Sequence, residues 1–153
     1  MIFLRRLAVY FLIWLILISL GWKLGLALAI FFIALDPDNY AYLFLGPIFD
    51  LNFSFPFGFF TLLFLFLKLG SEILAEYSEA DNIINVAMRA LILSAGSYVA
   101  LFFIYLYRLW PEASYALGLF IKDALLMLFS LSFIIILYQY WVWFYAKKEL
   151  SSS

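Results

Sequence analysis

The chain contains no cysteine and no histidine. Without cysteine there are no disulfides, thiolate metal sites, iron–sulfur clusters or thiol nucleophiles. Without histidine the commonest general base, metal ligand and haem axial ligand are gone as well. Charge is scarce: only 12% of the 153 residues are Asp, Glu, Lys or Arg, and nine bases against ten acids leave a net charge of −1. No basic run suits a phosphate backbone, which excludes nucleic acid as a partner. The chemical motifs are missing too, with no nucleophile elbow, phosphate-binding glycine loop or paired-histidine metal motif. We therefore read a non-enzymatic chain that needs no cofactor.

What the chain has in excess is apolar surface. Hydrophobic residues make up 69% of it and aromatics 23%, with a mean hydropathy of +1.10. Soluble domains run about 45–50% apolar and about 25% charged. A soluble fold of this size leaves roughly a third of its unfolded-chain surface exposed and has nowhere to hide this excess. The expected solvent is lipid. At about 20 helical residues per crossing, the length allows four or five spans and no separate soluble catalytic domain.

We expect an all-α polytopic membrane protein forming a single domain, a bundle of four transmembrane helices at 7–28, 53–69, 83–107 and 124–145. Apolar sequence actually runs from Leu7 to Leu35. A continuous helix over it would measure about 43 Å against a hydrocarbon core of about 30 Å. The stretch could also be taken for a signal peptide, with Ala27-Leu28-Ala29 imitating a cleavage site, but the hydrophobic sequence beyond it favours an uncleaved helix that tilts or kinks near Gly21 and Gly25. Asp36-Pro37-Asp38-Asn39 is a turn signal. Residues 40–49 are too short to cross and contain Gly46-Pro47, which suggests an interfacial or re-entrant piece in the first loop. Asp50 and Asn52 stand where the second span needs an N-cap. Phe53, Phe57, Phe60 and Phe64 share one face of that span, a packing stripe. Residues 70–82 read as a short acidic amphipathic segment.

Three groups of residues are candidate sites. Asn82, Asn85 and Arg89, with Gly96, fall within about 60° of one another at about 100° per residue. That face could line a cavity or bind an anionic group; the more economical reading has Arg89 snorkelling to headgroups while the asparagines cap the helix. Ala87, Ala90, Ser94 and Ser97 form a small-residue stripe that lets helix backbones approach closely. Glu72, Glu76 and Glu79 form an acidic face, solvated or docked to a basic partner. Lys23, beside Trp22, reads as an interfacial anchor, and the adjacent Lys122 and Asp123 as the boundary of the fourth span.

Most of the sequence is built for packing, so the first functional expectation is a structural or interaction subunit. Its partners would be membrane lipid and other membrane protein chains, or further copies of itself in a homo-oligomer. The alternative is an oligomeric pore or small-solute or ion carrier lined by the Asn85/Arg89 face; a membrane sensor or immunity component fits the same features. Five bases (Arg5, Arg6, Lys68, Lys147, Lys148) against two (Arg108, Lys122), or three with Lys23 at the outer interface, place both termini in the cytoplasm. Reporters fused after Ser153 or inserted near Ser78 are expected to read cytoplasm, and one near Asp38 the opposite side. Asp38 and Ser78 reporters on the same side would remove the second span.

Overall fold

The computed structural model describes residues 11–13, 19, 21–53, 55–77, 82–108 and 113–150, with side chains in the last helix from 114 to 144. All regular structure among these residues is helical. The elements are α1 (Trp22–Leu35), a 3-10 turn (Tyr40–Phe44), α2 (Leu45–Asn52), α3 (Phe59–Glu76), α4 (Ile83–Arg108) and α5 (Ala113–Leu150). Ten of the 22 residues of the expected first span, Glu79, and the Lys147 and Lys148 side chains lie outside the described residues.

Against four expected spans, two helices among the described residues are long and apolar enough to cross a membrane, Ile83–Arg108 in α4 and Ser114–Phe144 within α5. The first expectation is corrected at Gly21, whose φ of 91° is a left-handed value that favours glycine and interrupts any helix through 7–28. The helix that follows has 14 residues, about 21 Å, which is shorter than a hydrocarbon core. The second is corrected at both ends. Phe53 is extended and Gly58 adopts φ 89°, so α3 starts only at Phe59; it then runs on through Glu76, absorbing most of the segment expected as a separate acidic helix. Lys68, Glu72 and Glu76 load α3 with more charge than a simple span carries. The boundary expected at Lys122-Asp123 is also absent, because α5 continues through both residues for 38 residues in all, about 57 Å.

Helix α1 is the centre of the fold. A helix that is apolar all round is stable only where every face is covered, and Leu26, Ala29, Ile30, Ile33 and Ala34 are all at most 1% exposed. Helices α4 and α5 cover most of it and α3 adds a smaller contact. Asp36 accepts no continuation of the helix: its N–H still donates to the Phe32 carbonyl at 3.0 Å, but Pro37 follows and removes the next donor. Asn39 then caps the 3-10 turn by accepting the Ala41 N–H at 3.2 Å.

Residues 40–49, expected as an interfacial piece, fall in the 3-10 turn and α2, which runs on to Asn52; both fold back on the start of α3. Two residues hold this arrangement. Asp50 accepts the Phe60 N–H at 2.8 Å with one oxygen, and the Thr61 N–H at 3.0 Å and hydroxyl at 2.6 Å with the other. It thus caps the positive end of α3 from across the loop, since Gly58, at the local N-cap, has no side chain to do so. Gly46 permits the approach: a β-carbon there would lie 2.6 Å from the Thr61 Cα. Around this crossing the Phe49 ring meets Phe53, Phe60 and Phe64 at centroid distances of 5.2–5.8 Å. The expected phenylalanine stripe is therefore half right: Phe60 and Phe64 are fully buried, while Phe57 is 83% exposed in the loop before α3.

Gly46→Ala is expected to destabilise the fold by about 1–3 kcal/mol through overpacking against backbone. Gly96→Ala, with open space around its added methyl, should stabilise by about 0.5–1 kcal/mol through helix propensity. Thermal unfolding of the two variants in detergent checks the pair, and equal behaviour would refute the close crossing.

Candidate functional site: the buried charge network

Charged side chains are few here, yet four of the eleven that are described are buried inside the bundle. Asp50, Lys68, Arg89 and Asp123 are each at most 6% exposed. An ion taken out of water needs a partner or hydrogen bonds at once, so the positions of these four show what the interior is organised to satisfy.

At the start of α1, Lys23 forms an ion pair with Asp123 of α5. The second oxygen of that carboxylate accepts the Tyr105 hydroxyl of α4. Three helices are thereby tied at one point. Phe120 packs beside it, 5.2 Å from Phe102 and 6.4 Å from Tyr105 between ring centroids. Asp123 lies well inside the apolar stretch Ser114–Phe144, at a depth of about 14 Å from its beginning. Lys23 was expected to be an anchor and Asp123 a boundary residue; the structure joins them. Sequence reasoning missed this because the partners are a hundred residues apart, and because adjacent Lys122 drew attention to a local pair that cannot form on one helix face.

At the other end of α1 the network is basic. Arg89 is 2% exposed and donates from Nη1 to the Ala34 carbonyl at 3.5 Å. Lys68 is 1% exposed and donates to the Pro37 carbonyl and to the Glu72 carboxylate. Its ammonium also lies 4.0 Å from the Tyr40 ring centroid, a cation–π contact. Two cations thus meet the unsatisfied carbonyls where α1 ends, the negative end of its dipole. Hydrogen bonds from Lys68 and Tyr40 hold the Glu72 carboxyl below its ordinary range, and the same carboxylate raises the Tyr40 phenol above its own.

The expected sites are distributed as follows. Of the polar face, Arg89 is buried, Asn85 is half-buried, and Asn82 and Gly96 are exposed. Asn82 caps α4, its side chain accepting the Ile84 N–H at 3.0 Å. Of the small-residue stripe, Ala90, Ser94 and Ser97 are buried and Ala87 is half-buried. Both serines donate back to their own helix, Ser94 to Leu91 and Ser97 to Leu93, and so need no partner across the interface. Of the acidic face, Glu72 is engaged by Lys68 and Glu76 is exposed.

No protein-family model, curated protein or solved structure matches the chain.

Lys23→Met should cost about 2 kcal/mol, because it leaves a buried carboxylate with only the Tyr105 hydroxyl; the side chain of Lys23 is 28% exposed, which keeps the cost below that of a fully buried pair. Adding Asp123→Asn should recover most of that loss, since the remaining amide still accepts from Tyr105. A double-mutant cycle in detergent measures the coupling, and additive effects would show that the two residues do not form a pair.

Proposed function

We propose that this chain is a non-enzymatic integral membrane subunit in which α4 and α5 cross the bilayer, α1 and α3 complete the bundle, and the outer face of α5 assembles with other membrane chains or with a second copy. One observation carries this reading. Phe129, Phe133, Ile136, Tyr140 and Trp143 recur at alternating four- and three-residue steps along α5, each at least 56% exposed. That spacing is a continuous seam on one side of a helix, the pattern by which helices dock on one another. The charged residue of the same helix that is buried, Asp123, belongs to the opposite, inward side.

Support for the lipid setting comes from the same division. Polar demand is met inside, by the pairs around α1, while α4 presents Ile84, Ile92, Val99 and Phe103 outward. Water would make such a surface an aggregation hazard; lipid makes it neutral. The pore reading gains no comparable support. Its central residue, Arg89, is buried against the end of α1, and the Asn82–Gly96 face is not gathered along one groove.

Blue-native separation in mild detergent is expected to show a species larger than one 17.8 kDa chain. Joint Phe133→Ala and Ile136→Ala substitution should shift it toward the monomer without loss of helical content. A monomer under gentle conditions for the unsubstituted chain would overturn the assembly reading.

A further inference from the structure

A cavity of about 720 Å³ opens between α1 and the C-terminal half of α5. Its walls include Phe31 and Leu35 on one side and Ile134, Tyr138, Trp141 and Phe144 on the other. The volume falls within the roughly 300–1,000 Å³ of sites that take small molecules. The walls are held by ring contacts: Phe31 meets Tyr138 edge-on at 5.3 Å, and Tyr138 stacks on Trp141 at 6.2 Å.

Three features identify the occupant. Apart from Asp36 and three tyrosines the lining is apolar, Leu137 included, which argues against a hydrophilic solute. From Ile134 to Phe144 the cavity follows α5 for about 15 Å, half the thickness of a hydrocarbon core of about 30 Å. It is therefore one leaflet deep. Its character also changes along that length, from aliphatic Ile134 to amphipathic Tyr138 and Trp141, the residue types that mark the headgroup level. A slot that is aliphatic toward the midplane and aromatic toward the interface has the polarity of a lipid chain lying beside α5.

We propose that this cavity holds one acyl chain of a phospholipid drawn from the leaflet that contains the aromatic end of α5. The proposal rests on the membrane reading above. The bound chain would cover Phe32 and Leu35, the half-buried α1 residues that line the cavity.

The test uses the full chain purified in detergent, with dioleoylphosphatidylcholine added, and native mass spectrometry as readout. One phospholipid per chain is expected to survive removal of the detergent. Ile134→Trp or Leu137→Trp, which fill the cavity, should lower that occupancy at least tenfold; two variants guard against one failing to fold. Phe129→Trp, on the exposed seam, should leave it unchanged. Equal retention in all four proteins, or retention of detergent in place of lipid, overturns the proposal. Alkaline extraction of membranes carrying the same chain separates the two readings: a chain that stays in the membrane but retains no lipid refutes the cavity proposal alone, whereas a chain released by alkali refutes the membrane reading beneath it.

Discussion

Everything in this fold is arranged about one short apolar helix, buried over most of its length and tied at both ends to charged side chains. Helix α1 is largely buried from Gly25 on, so its last carbonyls, unlike its half-exposed first turn, cannot rely on solvent. At the first turn the tie is an ion pair, in which Lys23 meets Asp123 and Tyr105 is the carboxylate's second partner. Arg89 and Lys68 arrive at the negative end, on the carbonyls of Ala34 and Pro37. These contacts draw in α5, α4 and α3 in turn, and each brings its apolar face with it. Charge pairs of this kind add little net stability over a well-packed apolar substitute. What they supply here is register: each helix can slide along α1 only by stranding a buried charge.

The same logic explains what was legible in the sequence. Composition alone carried the helical class and the presence of long apolar helices, and α4 appears within one residue of its expected end because a long apolar run between Asn82 and Arg108 leaves little choice. The role of α1 was not legible. Residues 29–35 read as surplus length beyond a span at 7–28, whereas Ala29, Ile30, Phe31, Ile33 and Ala34 are among the most deeply buried residues. Hydropathy cannot separate a helix that faces lipid from one enclosed by other helices, since both are apolar all round. The break at Gly21 was signalled by the glycine itself, but only tertiary structure shows its left-handed conformation.

The candidate residues were partly visible for the same reason. Arg89 stood out as a charge within an apolar helix, and it is indeed held in the interior, but its partner is a backbone carbonyl that no side-chain pattern could reveal. Asp50 was noticed as a helix cap, correctly in kind; its hydrogen bonds reach ten and eleven residues ahead to Phe60 and Thr61 rather than to its immediate neighbours. Asp123 was assigned to a boundary because local sequence offered Lys122, while its true partner comes from the other end of the chain. Local pattern finds the charge, and only the fold finds what it pairs with. On the proposed reading, the inward pairing of Asp123 is also what leaves the outer face of α5 apolar from Phe129 to Trp143, one heptad beyond the exposed Lys122, and able to meet lipid or another helix.

The central claim is that the outward apolar residues of α4 and α5 face lipid while Arg89 and Asp123 face inward, and the absence of cysteine makes it directly measurable. Single cysteines at Phe103, Phe129 and Ile136, all exposed on α4 or α5, can each carry a nitroxide spin label in reconstituted bilayers. Collision rates with oxygen, which dissolves in lipid, and with a water-soluble nickel chelate then report the local solvent. The account predicts high oxygen and low nickel accessibility at all three positions. High nickel accessibility there would place water on these faces and contradict it.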